Sequence, residues 1–446
     1  MVDRSPHIVI VVVNLPVERD RRVIRECQAL EAAGYRVSVI CPRGPDRPRL
    51  VPGTRTSRIH SFPQPLAGSG LLSFAAEFTW ALTAVTARLV GIMARDRVDA
   101  VQACNPPDIF WIPGLLMRLL GRPFVFDHHD LSPELYECKT GRPNPVVLRI
   151  LRLLEKASWR SASAVVSTNE SYRDLAISRG GCDPDRVVVV RNGPTIAEVD
   201  ATGIDFGPTD DRDWTSGPTS PGAPGVPSSP QRAGRTKRIV YLGVINPQDH
   251  VEVAVLAAER LVALRGADDW QLSIAGDGDC LPELRRLAAE RGLADVVRFT
   301  GWLDAAEVDT LLRSATLAIQ PDAPTRMAEL STMAKTVEYV ARGVPVVAVD
   351  LLETRRTAGS AASYLPTGGP DEFAKALDQL LDDAPARNAM RVAGRRRFVE
   401  RLAWDHQVRS YIRLWNQLLP RHEAGHRSVA YSDDVDAASP LSGRSH

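Results

Sequence analysis

The sequence predicts an α/β fold of two doubly wound domains, each a parallel sheet with helices on both faces. Three observations carry that expectation. Short β-rich runs alternate with helical stretches through both halves of the 446 residues. The runs are almost continuously apolar, as strands covered on both faces must be. One stretch rich in Pro, Gly and Ser, residues 206–235, interrupts the alternation. With so little to bury, it reads as a flexible connection between domains.

Taken in order, the first half offers strands HIVIVVV (7–13), RVSVICP (36–42), DAVQACN (99–105), PFVFDHH (123–129), SAVVST (163–168) and VVVVRNG (187–193). The second half offers RIVYLGV (238–244), WQLSIAG (270–276), VVRFTGW (296–302), ATLAIQP (315–321) and PVVAVD (345–350). Residues 71–94 are apolar enough to suggest a membrane span, but Glu77 and Arg88 lie inside the run, so a helix packed on a sheet is expected. The segment after Leu402, AWDHQVRSYIRLWNQLL, is an amphipathic helix with Trp404, Tyr411 and Trp415 as anchors that can cross back to the first domain. The expected organisation is therefore a first domain over 1–195, a linker over 196–236 and a second domain over 237–402. A terminal helix over 403–420 and an unstructured tail over 421–446 complete it.

Composition narrows the function. There are 55 basic and 54 acidic residues, a formal charge of +1, which argues against a nucleic-acid partner held by bulk electrostatics. Six scattered cysteines without a CxxC pair fit a reducing cytoplasm and no zinc site. The N-terminus enters an apolar strand at once, too short a run for a signal peptide.

Chemistry concentrates in two places. In STMAKTVEYVARGVPVVAVD (331–350), Ser331 and Thr332 are expected to cap a helix that runs through Met333, with Lys335 one turn on and Glu338 beyond it. A helix N-terminus beside an ammonium can hold a phosphate, and a carboxylate one turn deeper can grip a ribose diol. In FVFDHHDLSPELYE (124–137), His129 and Asp130 end a strand where a cleft would lie. Neighbours on a strand point to opposite faces, so DHHD is not expected to bind a metal. AGDGD (275–279) reads as a turn capping a helix, and no Gly-x-Gly-x-x-Gly follows Val13 or Val244, which disfavours a dehydrogenase. In 146–161, Arg149, Arg152, Lys156 and Arg160 fall at helical spacing opposite Ile150, Leu151, Leu154 and Ala157. The expectation there is a solvated face over a core stripe, with peripheral contact to the inner face of a membrane as the alternative.

QACNPPDIFW (102–111), FDHHDLSPELYE (126–137), STNESYRDLA (167–176), VVRNGP (189–194) and STMAKTVEYVARGVPVVAVD (331–350) together resemble the bacterial glycosyltransferase family 4. The likeness runs over about residues 7–419 outside the linker. It implies the GT-B fold, two Rossmann-like domains facing across a cleft. It also implies retaining transfer of a sugar from a nucleoside diphosphate sugar to an acceptor hydroxyl, with no metal and no other cofactor. Such enzymes serve polysaccharide, glycoconjugate or secondary-metabolite synthesis.

Carried over by position, Glu338 matches the second glutamate of the family's Glu-x7-Glu motif and would hold the donor ribose. Leu330 stands where the first glutamate belongs, and Glu329 is one place off. Lys335 would face the diphosphate, while the loop GVINPQDH beginning at Gly243 has no Arg or Lys. Asn14, Arg21 and Arg22, after the first strand, are the candidates to supply what that loop lacks. His129 and Asp130 would lie near the donor sugar, Gly301 and Trp302 near the nucleobase, and Glu134 would be structural. A nucleotide-sugar epimerase and a non-catalytic nucleotide-sugar-binding homologue are the alternatives.

Overall fold

The computed structural model describes residues 5–64, 71–201 and 237–420, so the stretch 206–235 and the tail 421–446 lie outside the described residues. The first domain holds strands β1 (His7–Val11), β2 (Arg36–Pro42), β3 (Arg58–Phe62), β4 (Ala100–Cys104), β5 (Phe124–His128), β6 (Ala164–Ser167) and β7 (Val187–Val189). Its helices are α1 (Arg21–Ala32), α2 (Leu71–Met93), α3 (Trp111–Leu119), α4 (Ser132–Thr140), α5 (Pro145–Ser161), α6 (Glu170–Ser178) and α7 (Ile196–Asp200). The second holds β8 (Lys237–Leu242), β9 (Trp270–Ala275), β10 (Val297–Gly301), β11 (Leu317–Gln320), β12 (Val346–Val349) and β13 (Ala362–Leu365). Around them lie α8 (Val251–Arg265), α9 (Leu281–Glu290), α10 (Ala305–Arg313), α11 (Arg326–Leu330) and α12 (Ala334–Ala341). They are followed by α13 (Leu352–Ala358), α14 (Pro370–Asp382), α15 (Ala384–Arg397) and α16 (Trp404–Leu418).

Both sheets are parallel, in the orders β3-β2-β1-β4-β5-β6-β7 and β10-β9-β8-β11-β12-β13. The order reverses beside the first strand of each domain, which is where open α/β sheets bind ligands. Along β1, Val9 and Val11 feed one core while Ile8 and Ile10 feed the other, which is why the run is continuously apolar. Strands β3 and β13 had not been expected. Both lie at sheet edges and are mostly half-exposed, so RIHSF and ASYL carry too mixed a pattern to stand out.

One expected boundary changes. Residues 196–200, assigned to the linker, form a helix fixed by a capping box between Thr195 and Glu198, with Val199 buried beside Val340 and Phe398. Helix α16 belongs to the first domain's core: Tyr411, Leu414 and Trp415 pack with Val39, Ala100 and Val190. The Tyr411 hydroxyl donates to Gln102 Oε1 at 2.7 Å, and Tyr35 donates to Asn416 Oδ1 at 2.7 Å. Helix α2 buries Ala81, Val85 and Leu89 against the first sheet. Among the described residues no helix is long and apolar enough to cross a membrane.

Candidate active site

On the first-domain side the centre is Asp127, fully buried near the end of β5. Asp20 caps α1 by accepting from the Arg22 and Val23 amides, which aims Arg22 inward. Arg22 grips Asp127 with both arms, Nη2 to Oδ1 at 2.8 Å and Nε to Oδ2 at 3.2 Å. Its Nη1 donates to Val190 O and Asn192 Oδ1, both at 2.8 Å. Gln102 donates to Asp127 and to Glu26, whose carboxylate lies 3.1 Å from Arg22 Nε. Burial pushes against the charge on Asp127, yet Arg22 and His129 hold its carboxyl well below the ordinary range. Burial and the Asp127 charge push Glu26 well above it, against the pull of Arg22. Arg22 is therefore a buried structural cation, not the expected diphosphate ligand, because every arm is already bonded inside the fold.

His129 stands at the rim, with its side chain 13% exposed and Nε2 2.8 Å from Asp127 Oδ2. Asn105, at the end of β4, pins the turn: its Oδ1 accepts the His129 amide at 2.6 Å and the Asp130 amide at 3.2 Å. Its Nδ2 donates to the Asp130 carbonyl at 2.7 Å. Burial raises the Asp130 carboxyl above its ordinary value. Cys104 Sγ, Asp127 and His129 offer atoms all within 4.8 Å of one another, the spacing of a metal-ligand set. Residues 127 and 129 share a strand face, so the opposite-face argument does not apply to them. The charge balance does: Arg22 already neutralises Asp127, and burial pushes the Cys104 thiol well up, leaving a protonated sulfur.

Behind this rim, His128 faces the other core among Phe126, Trp159 and Tyr172. Arg179 is shared between Glu134 at 2.7 Å and Glu155 at 2.8 Å, and Arg326 of the second domain reaches Glu134 at 3.5 Å. Burial pushes Glu155 up to about 8 and His128 down to about 3. A raised carboxyl stabilises the fold fully below its unfolded value and loses that contribution as pH climbs through about 8. Urea titrations should show stability falling between about pH 4.5 and 8, and Glu155→Gln should flatten that fall.

On the second-domain side, the ends of β8, β9 and β10 bring Gly243, Gly276 and Gly301 together. A Cβ on Gly276 would sit 1.7 Å from the Gly243 carbonyl, so only glycine fits this crossing. Gly301 has φ +75° and faces open space, and Trp302 beside it is 73% exposed, free to stack on a ring. Lys335 is buried: Nζ donates to Asp322 Oδ1 at 2.8 Å and to the Tyr241 hydroxyl at 3.3 Å, and lies 3.6 Å from Asp249. Burial opposes its charge, but Asp322, Tyr241 and Asp249 hold the ammonium well above its ordinary range. The cation is present at the strand ends but already paired.

Helix α12 starts at Ala334, not at a Ser331–Thr332 cap, and its N-cap Met333 makes no side-chain capping bond. Met333 packs on the second core. Ser331 and Thr332 join the domains instead. The Ser331 hydroxyl lies 3.0 Å from that of Tyr172, and Thr332 Oγ1 accepts from Asn169 at 3.1 Å and donates to Glu353 at 3.1 Å. Leu330 packs against the first domain's core, and Glu329 accepts the Leu352 amide at 2.8 Å. The missing motif carboxylate is thus replaced by an apolar contact between domains. Glu338 is half-buried, paired with Arg342, and stands 3.7 Å from Arg21 of the first domain. Asn14 is exposed on the loop after β1.

Sequence reasoning missed Asn105, Asp127, Asp322 and Asp249. Asn105 directly after β4 and Asp322 two residues past β11 stand at the cleft ends of parallel strands, a positional signal that could have found them.

Two doubly wound domains meeting at their strand ends, with the motif carboxylate at the junction, define the GT-B glycosyltransferase class. The chain belongs to it: residues 20–193 match the glycosyl transferase 4-like domain and residues 236–383 the glycosyl transferases group 1 domain. It is 27% identical over 282 residues to alpha-D-kanosaminyltransferase of Streptomyces kanamyceticus, covering 62% of this chain and 66%, just under two thirds, of that enzyme. It is 26% identical over 347 residues to D-inositol 3-phosphate glycosyltransferase of Salinispora tropica, covering 73% and 67%. Sucrose-phosphate synthase from Thermosynechococcus elongatus shares the fold with TM-score 0.69 at 16% identity, over 93% of this chain and 99% of that one. Anabaena Alr3699/HepE in complex with UDP-glucose does so with TM-score 0.62 at 14% identity, over 92% and 99%.

Proposed function

We propose that this protein is a retaining, metal-independent glycosyltransferase that moves a sugar from a nucleoside diphosphate sugar to an acceptor hydroxyl. The observation that carries the reading is Glu338, set where the two domains meet, 3.7 Å from Arg21. A donor whose ribose diol takes Glu338 frees the half-exposed Arg21 for the diphosphate, a charge-assisted contact worth roughly 1.5–3 kcal/mol. Lys335 is held at the same strand ends by Asp322 and Asp249, so it meets the diphosphate by exchanging those partners. The first domain supplies His129, its imidazole oriented by Asp127, beside the sugar. The site positions the acceptor hydroxyl and anomeric carbon on one face, so that the leaving phosphate can take the acceptor proton. A solved relative holding UDP-glucose supports the donor class. The six free cysteines support a reducing compartment, which we take to be the cytoplasm.

A thermal-shift panel of nucleotide sugars, followed by NMR of the anomeric product with and without chelator, tests the reading. An inverted product, or activity abolished by chelation and restored by a divalent ion, counts against it. Glu338→Ala should weaken donor binding by about 10–100-fold, the loss of roughly 1.5–3 kcal/mol of charge-assisted hydrogen bonding, and calorimetry reads it. Arg21→Ala should weaken it by about tenfold.

One alternative has a specific observation behind it. Lys335 is already paired and Leu330 fills the place of a motif glutamate, as a non-catalytic nucleotide-sugar binder could tolerate. Tight donor binding with no release of nucleotide under any acceptor would favour that reading.

A further inference from the structure

Helices α3 and α5 lie side by side on the outer face of the first domain. On α3, Ile112, Leu115, Leu116 and Leu119 recur at helical spacing, and all four are exposed, Leu119 by 85%. On α5, Val146, Ile150 and Leu153 continue the strip, exposed by 64%, 49% and 59%. With Leu120, these helices carry eight of the 17 large apolar residues exposed among the described residues. Single exposed leucines need no explanation, but a cluster of seven to eight apolar side chains on two adjoining helices marks a docking surface.

The charges say what docks there. The overall charge is only +1, yet every exposed charged residue between 111 and 161 is basic: Arg118, Lys139, Arg142, Arg149, Arg152 and Arg160. The acids of the same stretch are turned away. Asp127, Glu134 and Glu155 are buried, Glu137 pairs with Arg152, and Asp130 sits at the cleft. A symmetric dimer would set the same basic surface against itself, so a second copy is a poor occupant. We propose that the α3–α5 face docks on an anionic lipid bilayer, its leucines entering the headgroup boundary and its arginines meeting lipid phosphates. Ile150, expected from sequence to face the core, is half-exposed and belongs to the docking strip instead.

Sedimentation of the full chain with vesicles tests this independently of any donor or activity. The chain should pellet with phosphatidylglycerol–phosphatidylcholine vesicles and bind pure phosphatidylcholine at least tenfold more weakly. Binding should fall roughly fivefold for each basic residue replaced, as in Arg149→Ser with Arg152→Ser. Leu119→Asp with Leu153→Asp should abolish it while the melting temperature and nucleotide-sugar thermal shift stay unchanged. No pelleting of the unmodified chain, equal pelleting with neutral vesicles, or pelleting that survives both apolar substitutions overturns the proposal. So does a dimer in light scattering that Leu119→Asp converts to monomer.

Discussion

Arg22→Met should lower stability by about 3–5 kcal/mol, the usual result of removing one partner from a buried ion pair. The substitution strands Asp127 in a fully buried site and leaves the Val190 carbonyl and Asn192 without their donor. Urea unfolding should show a lower midpoint at unchanged slope. The measurement also separates two neighbours in sequence. If Arg22 is a structural cation, donor affinity in the folded variant stays within about twofold, whereas Arg21→Ala weakens it. Wild-type stability together with lost donor affinity would return Arg22 to the diphosphate.

His129→Ala should cut turnover by about 10²–10³-fold with donor affinity little changed, the range for removing one preorganised polar group beside a developing charge. His129 touches Asp127 but takes no part in the Arg22 clamp, so the variant should melt within a few degrees of wild type. Single-turnover kinetics separate the chemical step from donor binding. A variant with full turnover would remove His129 from the site and leave its contact with Asp127 purely architectural.

The architecture was legible because burial on both faces leaves a plain signature: continuous apolar runs such as HIVIVVV, spaced by helices. The edge strands β3 and β13 lack that signature because one side of each is open. At the site, residue types were legible and their pairings were not. Lys335 lies buried at the strand ends and Glu338 half-buried at the domain junction. Nothing local to 335 announces Asp322 or Asp249, which arrive from the loops after β11 and β8. Likewise Arg21 and Arg22 are chemically identical neighbours. Which of them turns inward is decided by the Asp20 cap and by a carboxylate 105 residues away in sequence. Ser331 and Thr332 look like a helix cap by composition, but their hydroxyls are drawn to Tyr172 and Asn169 of the first domain and to Glu353 of their own.

The return of helix α16 to the first sheet has a consequence for biosynthesis. Tyr411 and Trp415 fill the layer beneath β1 and β4, so the domain translated first lacks part of its interior until the ribosome has made residue 418. Its apolar floor stays uncovered throughout synthesis of the second domain, the interval when a nascent chain is open to chaperones and proteases. A nonsense mutation anywhere before codon 404 would therefore strike the half of the protein already made.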